Sequence, residues 1–342
     1  MRATGRDELN EIQRYLAEEH VEDFNDGLIT RRELIRRVTL ITGSGVAAAA
    51  FLAACGVGGG SGTPVGGGVT APPPATGAAA TVTSVPAGQP VAYATPPSQP
   101  TADGITVKAD DPRIRAQDTE VPAADGAKLI GYLSRPAADA RYPGILVIHE
   151  NRGLLEHIKD VTRRFATAGF AAVAVDLLSR EGGAAKLEQG AYNAALGQRS
   201  PADMVKDLQS TLDFLKTQSF VDGAKLGAMG FCFGGGMTWN LLNAGTAVMA
   251  AVPFYGPGPS DPSGLASTKA AVLGVYAEQD SRVNASIPAV EEQLKKAGVT
   301  YQMKVYLGVN HAFHNDTGSR YSAERSREAW VDTVEWFRRH LA

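Results

Sequence analysis

Short apolar runs alternate with amphipathic stretches between residues 103 and 342 of this 342-residue chain, and this alternation limits the fold more than any other feature. The runs cover 144–148, 170–175, 226–229, 248–252, 271–276 and 301–306. Several of them are nearly all apolar, which is typical of strands buried on both faces. The stretches between them have helical spacing and cover 156–168, 200–217, 235–244, 286–297 and 319–341. Strands that alternate with helices predict an α/β fold with a doubly wound, mainly parallel sheet.

Two further segments precede these elements. Residues 105–108 and 128–134 read as short strands on either side of a turn-rich Ala-Asp-Gly at 124–126. We expect them to form an antiparallel pair at one edge of the sheet.

Composition excludes several classes of function. The net charge is −3, from 33 basic and 36 acidic residues, so the chain lacks the basic excess typical of nucleic-acid binding. Two cysteines are too few for a disulfide scaffold or a cysteine-rich zinc site, and the six histidines include no His-Glu-x-x-His motif. We therefore expect no metal, no cofactor and no nucleic-acid partner.

The N-terminal region has the pattern of an export signal. Arg31 and Arg32 precede residues 38–54, which carry no charge, and Cys55 follows. The paired arginines resemble a twin-arginine signal, and Leu-Ala-Ala-Cys at 52–55 resembles the lipobox of bacterial lipoproteins. We expect residues 1–54 to be the export signal region and Cys55 to carry a lipid that anchors an exported domain to a membrane. The alternative is an uncleaved anchor helix with an incidental cysteine.

The remaining N-terminal sequence divides into two parts. Residues 1–30 are acidic, and the spacing of Leu9, Ile12, Leu16 and Val21 predicts a short helix. Residues 55–102 are rich in Gly, Pro, Ala, Ser and Thr, a composition that predicts a flexible tether. Residues 103–342 then form the folded domain.

A candidate nucleophile lies where a predicted strand meets a predicted helix. Gly-Phe-Cys-Phe-Gly at 230–234 has the pattern of a nucleophile elbow, with Cys232 in place of serine. The glycines allow the tight turn, and helix N–H groups can stabilise an oxyanion or a thiolate. A phosphate-binding turn or a plain core cysteine would give a similar pattern.

Two polar residues follow later strands in the order expected of a hydrolase. Asp280 comes after the 271–276 strand and His311 after the 301–306 strand, which gives the order nucleophile, acid, base. Asp280 would orient His311, and His311 would exchange a proton with Cys232. Glu278 and His314 are the second choices for the acid and the base.

Four ordered motifs resemble the dienelactone hydrolase family: His149-Glu150, Gly-Phe-Cys-Phe-Gly-Gly at 230–235, the Asp280 loop and His-Ala-Phe at 311–313. The resemblance implies an α/β-hydrolase fold and cofactor-free hydrolysis of a lactone or an ester by a Cys-Asp-His triad. It also implies that Glu150 contacts the thiol and that the N–H groups of Phe233 and Asn151 form the oxyanion hole.

One position departs from that family. Members that act on dienelactone carry an arginine four residues after the catalytic histidine, where this chain has Asn315. Arg152, Arg199 and Arg320 are the candidates to replace it. The departure leaves a general carboxylesterase on the same fold as an alternative function. The alternatives from other functional classes are a non-catalytic ligand-binding lipoprotein and a redox-sensing thiol protein.

Overall fold

The fold is built on one mixed sheet of eight strands. The computed structural model describes residues 9–57 and 106–342. The strands are β1 Ile114–Pro122, β2 Lys128–Pro136, β3 Tyr142–Ile148, β4 Ala171–Val175, β5 Val221–Phe231, β6 Ala250–Phe254, β7 Ala271–Ala277 and β8 Tyr301–Tyr306.

The strand order across the sheet is β1-β2-β4-β3-β5-β6-β7-β8. Strands β3 to β8 are mutually parallel, whereas β1 pairs antiparallel with β2 and β2 antiparallel with β4. All residues of β4, β6 and β7 are buried, because helices cover both faces of the sheet. The predicted fold class is confirmed, and the carboxyl ends of the parallel strands meet along one edge.

The predicted antiparallel pair exists, but its first strand was misplaced. The strand that pairs with β2 is β1, not residues 105–108, of which 106–108 lie in irregular structure and 105 lies outside the described residues. Most side chains of β1 are exposed or half-buried. A mostly exposed edge strand lacks the apolar run on which the prediction relied.

Ten α-helices occur in the described residues, with short 3₁₀ turns at Ser179–Glu181 and Ser263–Ser267. The helices are α1 Glu11–Asn25, α2 Arg31–Thr42, α3 Gly45–Ala54, α4 Glu156–Thr167, α5 Gln189–Gln198, α6 Pro201–Thr217, α7 Phe233–Asn243, α8 Ser281–Asn284, α9 Ile287–Ala297 and α10 Ala323–His340. Every helix predicted between 156 and 341 is present, and α5 and the four-residue α8 were not predicted.

The three N-terminal helices pack against the rest of the fold. The predicted acidic helix is α1, which begins at a capping box formed by Asn10 and Gln13. Leu16 of α1, Leu34 of α2 and Phe51 of α3 are fully buried and belong to the same apolar core as the sheet. Residues 9–57 are therefore part of the folded body in this structure.

The proposed signal residues lie on α2 and α3. Arg31 and Arg32 are the first residues of α2, and Cys55 follows the last residue of α3. In the described chain no single helix is long and apolar enough to cross a membrane; α2 and α3 meet the criterion only as a pair, bent by 115°. Most of the proposed tether, residues 58–102, lies outside the described residues, so its flexibility stays a prediction.

Candidate active site

Cys232 occupies the sharp turn between β5 and α7. Its φ of 57° is in the left-handed region, which is costly for a residue with a side chain. A Cβ on Gly230 would lie 2.1 Å from the carbonyl oxygen of Gly234, and one on Gly234 would lie 2.4 Å from the carbonyl oxygen of Ile148. The two glycines are therefore required by the close approach of backbone segments, as the nucleophile-elbow pattern predicts.

Asp280 and His311 meet at the ends of β7 and β8. The Nδ1 of His311 lies 2.6 Å from Oδ2 of Asp280, and both side chains are buried. Burial acts to raise the pKa of Asp280, but the neighbouring His311 ring outweighs this effect, and the pKa lies below its ordinary value. The aspartate is thus held ionised against the histidine.

The other edge of the His311 ring is directed to Cys232 and to a residue that was not predicted, Glu19. A ring nitrogen of His311, the Sγ of Cys232 and a carboxylate oxygen of Glu19 all lie within 4.8 Å of one another. Burial and the charge of Glu19 raise the pKa of the Cys232 thiol. Burial lowers the pKa of His311, but Glu19 and Asp280 raise it well above the ordinary value. In this arrangement the Glu19 carboxylate therefore favours the thiol over the thiolate and favours a protonated imidazole.

The same three side chains have the donor spacing that a metal ion would need. The Nδ1 of His311 is already held by Asp280, an arrangement that zinc sites also use to orient a histidine.

Glu150 follows β3 and points toward Asn315. The Nδ2 of Asn315 donates a 2.6 Å hydrogen bond to Oε2 of Glu150, and Oε1 of Glu150 has no hydrogen-bond partner in the described chain. Both residues line the cavity that Cys232 also lines. Asn315 therefore orients Glu150 by a hydrogen bond, at the position where family members that act on dienelactone carry an arginine.

His149, the neighbour of Glu150, is tied into the fold. Its Nδ1 lies 2.5 Å from the carbonyl oxygen of Glu150, and its Nε2 accepts a 3.0 Å hydrogen bond from the N–H of Leu177. Burial lowers the pKa of His149. Since Leu177 follows β4, this neutral histidine holds the loop after β3, which carries Glu150, to the neighbouring strand.

The second choices for acid and base do not lie together with Cys232, Asp280 and His311. Glu278 is exposed, and its Oε2 accepts a 2.8 Å hydrogen bond from the N–H of Gly308. His314 is buried and stacks on Phe231, with ring centroids 5.1 Å apart. Burial and the charge of Arg164 hold the pKa of His314 well below its ordinary value. Neither residue contacts the Cys232 sulfur.

The candidate oxyanion groups flank the cysteine. Phe233 is the first residue of α7, so its N–H belongs to the helix N-terminus beside the sulfur. Asn151 follows Glu150 and lines the same cavity as Cys232. Phe233 directly follows Cys232, and Asn151 follows β3, which lies next to β5 in the sheet.

Helix α1 supplies two contacts to the candidate site that sequence reasoning missed. The hydroxyl of Tyr15 lies 3.2 Å from the Sγ of Cys232. The Cys232 thiol lies 3.9 Å from Oε2 of Glu19, and the same oxygen is 3.5 Å from Nε2 of His311. The acidic helix was predicted, but sequence gave no indication of where it packs.

A cavity of about 350 Å³ lies between these N-terminal residues and the ends of the strands. Arg152 lines it, is exposed, and donates to Oε1 of Gln189 at 3.0 Å. Arg320 also lines it but is paired with Asp26. Arg199 lies elsewhere and is paired with Asp207. Of the three candidate arginines, Arg152 is the one that has no carboxylate partner among the described residues.

Backbone strain is concentrated at this site. Within residues 9–57 and 106–342, three non-glycine residues have positive φ: Cys232 at 57°, Tyr255 at 33° and Ala312 at 60°. Ala312 directly follows His311, and the Tyr255 ring lies 5.0 Å from the His311 ring, measured between centroids. The strained positions thus surround the candidate nucleophile and base.

Residues 129–341 match the dienelactone hydrolase family. A protein of Methylorubrum extorquens named "putative carboxymethylenebutenolidase" is 35% identical over 254 residues, which span 71% of this chain and 87% of that protein. A protein of Escherichia coli K12 with the same name is 28% identical over 258 residues, which span 72% of this chain and 94% of that protein.

Solved structures agree with these relatives. A crystal structure titled "putative dienelactone hydrolase" from Klebsiella pneumoniae has 28% identity and a TM-score of 0.60, and it covers 66% of this chain and 98% of that one. A dienelactone hydrolase-like promiscuous phosphotriesterase from metagenomic libraries has 26% identity and a TM-score of 0.54, and covers 67% of this chain and 100% of that one. Together with the strand order and the turn at Cys232, these matches show that the chain has the α/β-hydrolase fold and belongs to the dienelactone hydrolase family.

Proposed function

We propose that this chain hydrolyses a carboxylic ester or a lactone without a cofactor, with Cys232 as the nucleophile, His311 as the general base and Asp280 as the group that orients it. The observation that carries the proposal is the position of His311. Its Nδ1 is 2.6 Å from Asp280, and its other edge is directed to the cysteine on the nucleophile elbow. This is the arrangement that nucleophilic catalysis by a thiol requires.

In the proposed reaction the Cys232 thiol gives its proton to Glu150, and the sulfur attacks the carbonyl carbon. A sulfur–carbon bond forms, the carbon–oxygen bond of the ester breaks, and the leaving oxygen takes a proton from His311. Water then attacks the thioester and gives a proton to His311. The carbon–sulfur bond breaks as the acid leaves, and Glu150 returns its proton to the sulfur. The N–H groups of Phe233 and Asn151 would stabilise the oxyanion in both steps.

Glu150 has a supporting role in this proposal. It is a buried carboxylate whose Oε1 has no hydrogen-bond partner among the described residues, in a cavity that the thiol also lines. A carboxylate in this environment can accept the thiol proton as substrate enters. Asn315 keeps it oriented by donating to the other oxygen.

The substrate that we propose is a small ester or lactone that carries a carboxylate. Arg152 is the support for this choice, because its guanidinium lines the cavity without a carboxylate partner in the described chain. A guanidinium binds a carboxylate by two parallel hydrogen bonds. The names of the relatives, carboxymethylenebutenolidase and dienelactone hydrolase, favour the same class of substrate.

The test is hydrolysis of dienelactone and of p-nitrophenyl acetate by the purified full chain, with Cys232→Ala and Cys55→Ser as a matched pair. We expect Cys232→Ala to lower turnover by about 1,000-fold or more, and Cys55→Ser to leave it unchanged. Retained turnover in Cys232→Ala would refute the nucleophile. Turnover of the nitrophenyl ester without turnover of dienelactone would assign a general carboxylesterase. No turnover of either substrate, both in the full chain and in its Tyr15→Ala variant, would favour a binding protein.

We also propose that the protein is exported and anchored by a lipid on Cys55. The support is the sequence pattern of Arg31 and Arg32, the uncharged run at 38–54 and the lipobox-like residues that end at Cys55. Mass spectrometry of the membrane fraction should find a chain that begins at a lipid-modified Cys55. A membrane-bound or secreted chain that keeps residues 1–54 would refute this proposal.

A further inference from the structure

Helix α1 places two side chains directly on the candidate nucleophile. The Tyr15 hydroxyl is 3.2 Å from Sγ of Cys232, and the Glu19 carboxylate is 3.9 Å from Sγ and 3.5 Å from Nε2 of His311. Cys232 is left 4% exposed and His311 2%. A segment from the N-terminal end of the chain thus packs against the reacting groups of the domain that follows.

These contacts occupy positions that a substrate needs. A reacting carbonyl carbon must come within about 3–3.5 Å of the nucleophile. The Tyr15 oxygen already stands at that distance from the sulfur, and Glu19 lies where the leaving oxygen would meet Nε2 of His311. The cavity reaches the cysteine from one side, but the sulfur has little surface left for attack.

The charge of the segment also opposes catalysis. With Asp280 ionised and His311 protonated, the pair is neutral, and an ionised Cys232 beside it would leave one negative charge. Glu19 adds another carboxylate beside the sulfur, and like charges at this distance disfavour a thiolate. The Cys232 thiol accordingly donates to Glu19 in this structure.

Ion pairs and buried apolar side chains hold the helix in place. Arg282 pairs with Glu19 and also with Glu22, at 2.8 Å from Nε to Oε1. Arg320 pairs with Asp23 at 3.2 Å and with Asp26 at 2.7 Å. Since both arginines belong to the hydrolase domain, four of the carboxylates of this acidic region are used to fix the helix over the site.

We propose that helix α1 is an intramolecular inhibitor that caps the site in the full chain, with Tyr15 blocking the sulfur and Glu19 holding Cys232 as a thiol. This inference rests on the proposed role of Cys232 as nucleophile. Cleavage before Cys55 would remove the helix, so export and activation would be one event. The full chain would then be a latent form of the hydrolase.

The test compares full-chain variants in a Cys55→Ser background, so that Cys232 is the remaining thiol. Tyr15→Ala and Glu19→Gln loosen the cap; Tyr15→Phe removes only the hydroxyl. Glu292→Gln is the matched control, because Glu292 forms an ion pair with Lys296 on α9, away from the cavity. Circular dichroism and the melting temperature verify that each variant is folded.

Two rates are measured on every variant: alkylation of Cys232 by iodoacetamide, followed by mass spectrometry of the peptide, and hydrolysis of p-nitrophenyl acetate. We expect Tyr15→Ala and Glu19→Gln each to raise both rates by about 10-fold or more, and Glu292→Gln to change neither. Unchanged alkylation, or a fall in both rates, would overturn the proposal, and the fall would make α1 part of the catalytic pocket.

Alkylation does not depend on hydrolysis, so the two proposals fail separately. A rise in alkylation with no hydrolysis in any variant would support the cap and refute the proposed function. A rise in hydrolysis that is lost when Cys232→Ala is added would support both.

Discussion

Asn315 donates a 2.6 Å hydrogen bond to the carboxylate of Glu150, and both side chains are buried beside the cavity. The amide fixes one oxygen of Glu150 without adding a second charge. A neutral donor leaves Glu150 without a counter-charge, whereas an arginine here would form an ion pair with it. The residue that departs from the family pattern therefore has a defined function in this chain, which is to orient Glu150.

Replacing this amide by a carboxyl should destabilise the protein in a pH-dependent way. In Asn315→Asp two buried carboxyl groups meet, so the introduced carboxyl keeps its proton to a higher pH than an ordinary aspartate. A pKa raised in the folded state means that stability is lost as pH rises. We expect a loss of about 1–3 kcal/mol at pH 8 and a smaller loss at pH 5, measured by urea unfolding. Asn315→Ala adds no charge and serves as control; equal losses of Asn315→Asp at both pH values would contradict the contact.

Two adjacent glycines at the start of α7 should respond in opposite ways to alanine. A Cβ on Gly235 would lie 2.2 Å from the carbonyl oxygen of Phe254, whereas one on Gly236 would have its nearest neighbour, Pro257, at 3.5 Å. We expect Gly235→Ala to cost about 3 kcal/mol or more, because two backbone segments must separate. Gly236→Ala should be neutral or stabilising by up to about 1 kcal/mol through helix propensity. Melting temperatures measure both, and similar values for the two variants would contradict the packing described.

Arg152 should distinguish anionic from neutral substrates. We expect Arg152→Gln to raise KM about 10-fold for an ester that carries a carboxylate and to leave KM for a neutral ester of similar size unchanged, because one charged contact is lost. Arg199→Gln is the matched control, since Arg199 pairs with Asp207 away from the cavity. Equal effects of Arg152→Gln on both esters would argue against a carboxylate-binding role.

Asp316 should account for part of the acid sensitivity of the fold. Burial opposes its ionisation, but a hydrogen bond from His157 and the charge of Arg164 lower its pKa to about 2. A pKa lowered in the folded state stabilises above the ordinary value of about 3.9, and this stability is lost as pH falls toward 2. We expect Asp316→Asn to lose about 2 kcal/mol at pH 7. The difference from the wild type should narrow between about pH 4 and pH 2, and a constant difference over that range would contradict the assignment.

Much of the parallel sheet could be predicted because strands such as β4, β6 and β7 are buried on both faces and have continuous apolar sequences. The edge strand β1 could not be placed, since residues such as Arg115, Asp118 and Glu120 give it a mostly exposed surface. Helix α5 escaped prediction for a related reason: it is short and contains Gly190 and Gly197, which weaken any helical pattern.

The candidate triad could be predicted because each member lies at the end of a strand, where topology brings them together. The contacts of α1 could not, because Tyr15 and Glu19 are more than 200 positions from Cys232 in the chain. Local pattern shows that a helix forms but not which surface it covers. Asn315 was noticed as a departure, yet its bond to Glu150 depends on a loop conformation that no local pattern specifies.

The positive φ angles at Cys232, Tyr255 and Ala312 place thermal stability and catalytic turnover in conflict. Glycine adopts such angles at little cost, and relief of one strained position is worth on the order of 1 kcal/mol. Variants selected only for a higher melting temperature would therefore accumulate glycine at strained positions such as Tyr255 and Ala312, which lie beside His311. At these positions greater backbone freedom would make the relative positions of the acid, the base and the sulfur less well defined. A gain in thermal stability there would therefore lower the turnover rate.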